Sequence, residues 1–121
     1  MFRKIFLATL ITACACTMAF AASVDGKWKA TFDTQIGTQN YTYEFHVDGN
    51  KVTGTATNDH GQTQIAEGKI DGDTITFVEP LSFNGVDMRI EYTGKIDGDQ
   101  IKFRRKVGEF ATEELVAKRA Q

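Results

Sequence analysis

One ten-residue stretch occurs twice in this chain, and it constrains the fold more than any other feature. Gly68-Lys69-Ile70-Asp71-Gly72-Asp73-Thr74-Ile75-Thr76-Phe77 returns as Gly94-Lys95-Ile96-Asp97-Gly98-Asp99-Gln100-Ile101-Lys102-Phe103, with eight of ten positions identical at an offset of 26 residues. A looser copy lies upstream in Val47-Asp48-Gly49-Asn50-Lys51-Val52. Each copy carries Asp-Gly and a polar pair between apolar residues, the pattern of a tight β-hairpin. An Asp71-Gly72 two-residue type I′ loop pairs Ile70 with Asp73 and places Ile70, Ile75 and Phe77 on one face. A four-residue loop keeps those faces. A three-residue loop without a bulge sends Ile75 to the other side, because a one-residue slip inverts a strand. Gly49, Gly72 and Gly98 then have a structural role, supplying positive φ at the turns.

The flanking segments alternate with a period of two. Gly26–Asp33 sets Trp28, Ala30 and Phe32 against Lys27, Lys29 and Thr31, and Tyr41–Val47 sets Tyr41, Tyr43, Phe45 and Val47 against Thr42, Glu44 and His46. That period marks half-buried strands. Lys51–Thr57, Thr63–Ile70 and Val86–Ile96 read the same way, and Glu114–Arg119 reads as a closing strand of undetermined register. Gln35–Asn40, Asn58–Gly61 and Val107–Thr112 read as connections, and Glu79-Pro80-Leu81-Ser82 as a break, since proline cannot donate to a ladder. Beyond the N-terminal leader no helical period stands out. The expected fold is all-β, an antiparallel up-and-down meander of about eight strands closed as a small barrel, with a two-sheet sandwich as the alternative.

Residues 1–21 read as a signal peptide. Arg3 and Lys4 precede the uncharged run Ile5–Phe20, and Ala19-Phe20-Ala21 has the small-x-small form of a cleavage site. The run is too short for a comfortable membrane span. A single domain over residues 22–121 follows, exported to the periplasm or the exterior. The alternative is lipid anchoring at Cys14 or Cys16, each preceded by small residues. Both cysteines lie in the leader, so the expected mature domain has no disulfide, thiolate catalyst or Cys-ligated metal. Without Arg3 and Lys4, 12 basic residues face 16 acidic ones, a net charge of −4. That sign argues against nucleic acid and against anionic membrane surfaces as partners.

Two short motifs carry a resemblance. Gly26-Lys27-Trp28 resembles the Gly-x-Trp that opens lipocalin and avidin barrels, and Asp48-Gly49-Asn50-Lys51-Val52-Thr53-Gly54-Thr55 is similar to an early avidin-type hairpin. The resemblance implies a calycin-type barrel with a late arginine packed over the Trp28 ring. Arg119 is the first candidate for that place and Arg105 the second. The chain has one Trp, whereas avidin-type biotin sites use several, so biotin is not implied. The Gly-Lys-Ile-Asp-Gly-Asp repeats also resemble those of small uncharacterised exported bacterial proteins, which brings no activity.

No nucleophilic arrangement, phosphate loop or cofactor motif is present in the sequence. His46 and Glu44 point outward from one strand without a third ligand at a fixed spacing, and His60 belongs to a turn. Asp71, Asp73, Asp97 and Asp99 supply two carboxylates per turn, short of the six or more oxygens that calcium takes. Among Lys102, Arg104, Arg105 and Lys106, Arg105 alone shares parity with Ile101 and Phe103. An inward arginine needs a carboxylate or an anionic ligand, and Glu109 and Glu113 are the nearest in sequence. Trp28, Tyr41, Tyr43, Phe45, Phe77, Tyr92 and Phe103 are the expected interior aromatics, with all the acids on turns or outer faces. The favoured expectation is a non-enzymatic barrel holding a small apolar or aromatic ligand at Trp28, Tyr41, Tyr43, Tyr92 and Arg105. The alternative is a filled-core structural or interaction protein, with an enzyme third.

Overall fold

The computed structural model describes residues 24–120; the leader, with Cys14, Cys16 and the expected cleavage point, lies outside them. Nine strands follow one another: β1 (Gly26–Thr34), β2 (Gly37–Asp48), β3 (Lys51–Asn58), β4 (Gly61–Gln64), β5 (Ala66–Asp71), β6 (Thr74–Phe83), β7 (Val86–Asp97), β8 (Gln100–Val107) and β9 (Ala111–Arg119). All pairings are antiparallel, in the order β2-β1-β9-β8-β7-β6-β5-β3-β4, and β2 pairs with β3 to close the sheet on itself. β4 and β5 lie end to end against β3, at Thr55–Asn58 and Lys51–Val52 respectively. They act as one broken stave, so the closed barrel has eight. Closure satisfies the edges that an open sheet would leave unpaired.

The faces follow the sequence pattern. In β7 the buried residues Ile90, Tyr92, Gly94 and Ile96 alternate with exposed Glu91, Thr93, Lys95 and Asp97. The interior is a continuous cluster of aromatic rings. Phe77 stacks on Tyr92 at 4.3 Å, Tyr43 meets Tyr92 edge-on at 5.6 Å, and Phe103 stands edge-on to both Phe77 and Tyr92.

The repeats form hairpins, but the centre of the turn is one residue later than an Asp71-Gly72 loop requires. Asp71 pairs with Thr74 and Ile70 with Ile75, which leaves Gly72-Asp73 as the loop. Gly49-Asn50 and Gly98-Asp99 sit in the same register. Each glycine has φ between +61° and +67°, and the residue after it does not share the positive sign. That is the type II′ form, with glycine at the first central position. The type I′ form is found at Asn84-Gly85, where φ is 53° and 79°. The second residue of each repeat turn also gives its carbonyl to the next hairpin. Ile70 donates to Asn50, Ile96 to Asp73 and Arg119 to Asp99, at 2.9, 2.7 and 2.9 Å.

Four segments differ from expectation. Most of Gln35–Asn40 is strand, because β2 continues to Gly37 against β1. β6 runs through Pro80, which pairs with Arg89 of β7. Pairing with β5 stops at Val78, so Pro80 sits where β6 has an open side and no donor is needed there. Thr63–Ile70 is broken by a register shift between Ala66 and Lys69, with Glu67 at φ 56°. The last strand starts at Ala111, in place of the expected connection through Thr112.

Candidate functional site

Alternate connections fall at opposite ends of a meander. The three repeat turns therefore share one end with Trp28, and the β1–β2, β3–β4, β6–β7 and β8–β9 turns share the other. Trp28 is fully buried, its Nε1 donates to the Val24 carbonyl at 2.9 Å, and the Arg119 guanidinium lies over its ring at 4.3 Å. Arg119 is held there by Asp99 Oδ1 at 3.2 Å and the Asp25 carbonyl at 3.1 Å. That end is closed. Asp73 and Asp99 there have cationic neighbours, Lys95 at 3.0 Å and Arg119 at 3.2 Å.

The other end is a cup of ≈ 720 Å³, lined in part by Ile36, Leu81, Met88, Ile90, Val107 and Phe110. Ile36 is 75% exposed and Phe110 73%, so the lip presents large apolar side chains to solvent. Tyr41, Arg105 and Glu113 form the floor.

Beneath the floor lies a hydrogen-bonded charge network. Arg105 Nε donates to the Tyr92 hydroxyl at 2.8 Å, Nη2 to the Tyr41 hydroxyl at 3.0 Å and Nη1 to Glu113 at 2.5 Å. Both phenols donate hydrogen bonds to Glu79, Tyr41 to Oε2 and Tyr92 to Oε1, each at 2.8 Å. Tyr92 has then used its single proton, so in the 2.9 Å contact between Tyr43 and Tyr92 the donor is Tyr43. Phe32 and Tyr41 lie 5.3 Å from the guanidinium carbon and Tyr92 5.7 Å.

Burial pushes the Tyr41 hydroxyl up to about 12, the Glu79 carboxylate adding to the rise and Arg105 opposing it. Burial likewise holds Tyr43 and Tyr92 well above the ordinary phenol range. For Arg105 burial works against the charge, but the Tyr92, Tyr41 and Glu79 oxygens outweigh it and raise its pKa.

The sequence-predicted site residues therefore separate. Tyr41 and Arg105 line the cup, Tyr92 and Tyr43 lie sealed below it, and Trp28 is at the far end. Glu113 meets Arg105, whose carboxylate needs are met by the protein itself. The expectation that every acid lies on a turn or outer face fails at Glu113, which lines the cup, and at Glu79, which is 1% exposed. The parity of Glu79 with Ile75 and Phe77 carries that information once β6 is seen to pass Pro80. His46 is exposed beside Asp25 at 3.8 Å, and among the described residues no cluster of three or more potential metal ligands occurs.

A second concavity of ≈ 1140 Å³ lies on the outside of β1, β7, β8 and β9, where Lys29, Lys95, Lys102, Arg104 and Lys118 line it. Among the described residues no helix is long and apolar enough to cross a membrane. No protein-family model, curated protein or solved structure matches the chain. The architecture is nonetheless consistent with a calycin-type barrel.

Proposed function

We propose that this protein is an exported, non-enzymatic binding module that takes a small, largely apolar or aromatic ligand into the barrel cup. The cup carries the proposal. Its ≈ 720 Å³ falls in the usual range for small-molecule sites, about 300–1,000 Å³, and such sites typically combine apolar walls with a few convergent polar groups. Its walls and lip carry those apolar side chains together with Gln39, Asn58, Gln62 and Thr63, and Arg105 and Glu113 meet at the floor. Glu79, the most deeply buried acid, lies under Tyr41 and Arg105 and has no route to a substrate, which favours binding over catalysis. A neutral fluorescent probe, N-phenyl-naphthylamine, is expected to bind saturably at one site per chain. Met88→Trp, which fills the cup from its half-buried wall, is expected to weaken that binding about tenfold or more, a loss of 1.4 kcal/mol. Absence of saturable binding to the unmodified protein sinks the proposal.

A surface role is the second reading, favoured by one observation. The lysines that line the outer concavity include two directly opposed pairs, Lys29 with Lys118 and Lys95 with Lys102. Opposed like charges cost stability unless something anionic covers them; Asp73 meets Lys95, whereas among the described residues no carboxylate pairs with Lys29 or Lys118.

A further inference from the structure

We propose that the cup selects organic cations, ligands with an apolar body and an ammonium or amidinium head that docks on Glu113. The inference rests on the cup being the binding site. The floor and the network beneath it contain one cation and two carboxylates: Arg105, Glu79 and Glu113. Treated as ionised, they leave the network one negative charge in excess. Arg105 is inward and buried, but it is already engaged. Its Nε, Nη1 and Nη2 donate to Tyr92, Glu113 and Tyr41, with Phe32 and Tyr41 rings against it. A carboxylate head would find only the N–H groups of Arg105 left over by these three bonds, and would stand beside Glu113.

Glu113 is the group with capacity to spare. Its Oε1 accepts from Arg105, and among the described residues its second oxygen accepts no hydrogen bond. Its side chain is 12% exposed and lines the cup, so this acceptor is desolvated yet reachable. Desolvation strengthens the attraction of a carboxylate for a cationic donor.

The rim carries the same sign independently. The segments that surround the mouth, residues 34–38, 57–62, 80–88 and 107–112, hold Asp59, Asp87 and Glu109 and no Lys or Arg. All three acids are exposed, and His60 is the one basic side chain in these segments. Of the nearby cations, Arg89 is drawn to Glu67 on the outer wall by two hydrogen bonds of 2.7 and 3.1 Å, and Lys106 is on the outer face of β8. The lysine-lined concavity is on the outer wall, not at the mouth. A negative mouth over an uncompensated carboxylate steers cations inward.

Three probes with one ring system separate the possibilities: naphthylmethylamine, naphthylmethanol and naphthoate, each competed against N-phenyl-naphthylamine on the whole domain. The amine is expected to bind about tenfold or more tightly than naphthoate, with the alcohol between them and the amine's lead shrinking as salt rises. Glu113→Gln is expected to bring the amine down to the level of the alcohol. If that variant fails to fold, the exposed rim variant Asp59→Asn/Asp87→Asn/Glu109→Gln supplies the second readout, a drop of about threefold in amine affinity with a flatter salt dependence. Equal binding of all three probes, or naphthoate tightest, overturns cation selection and leaves the cup as a binding site. Failure of all three, the alcohol included, overturns both.

Discussion

Arg105 and Glu79 approach no closer than 3.8 Å, and their charges are joined through two phenols. A buried ion pair of this kind contributes little net stability against an apolar substitute, but losing one member leaves a stranded charge. The tyrosine protons are what hold it together, and all three tyrosines of the chain take part. In an unfolded chain these phenols ionise around pH 10. In the folded barrel Tyr41 is pushed up to about 12, and Tyr43 and Tyr92 are raised well above the ordinary value. Above pH 10 the unfolded state releases protons that the folded state keeps. Stability is thus full below pH 10 and drains as pH climbs through the folded values. Its slope should exceed the about 1.4 kcal/mol per pH unit of a single group. An alkaline titration followed by phenolate absorbance and by circular dichroism is expected to show no phenolate until the barrel unfolds, and then all of it in one step. Phenolate appearing near pH 10 in folded protein would contradict the network.

The hairpin is the unit at the next scale, and it shows which part of the structure could be read from the residues. Parity assigned Ile70, Ile75 and Phe77 to one face, because any slip of one residue would have inverted the strand. It could not choose between Asp-Gly and Gly-Asp as the turn centre, since both leave those faces unchanged. Pro80 misled for a related reason. Its missing donor matters only where a second strand pairs, and whether one does is a long-range fact. With the break at Pro80 removed, Glu79 joins the inner face, so the hidden half of the charge network followed from one misplaced strand end. Gly94 shows a different constraint inside the repeat: a Cβ there would stand 2.5 Å from the Phe103 ring and 2.7 Å from Ile101. Gly94→Ala is expected to cost about 1–3 kcal/mol by overpacking, seen as a lower urea midpoint at an unchanged m-value. The same glycine in the first repeat copy, Gly68, approaches the Val52 backbone instead, so the two copies keep one residue for two different neighbours.

At the scale of the molecule, the barrel divides into a filled end and an open one. The alternation of a meander places the repeat turns together, but which end is solid depends on how the large rings interlock, which no local pattern states. The Arg119 contact with Trp28 closes the filled end. Replacing the guanidinium with an amide in Arg119→Gln is expected to cost about 1 kcal/mol and to shift the emission of the single Trp to longer wavelength as water reaches it. The seam that this contact covers joins the first strand to the last, through Trp28 with Arg119 and Lys29 with Lys118, and Ala120 adds a bond to the Lys27 carbonyl at 2.8 Å. One flank of β1 therefore waits for a partner until β9 has been synthesised. Each hairpin can zip as it emerges, but the ring locks only when the ninth strand arrives. A chain that stops short keeps two bare edges and an uncovered indole, the features that draw chaperones, proteases and other unfinished copies. Closure of the ring and burial of the indole therefore wait on the same strand.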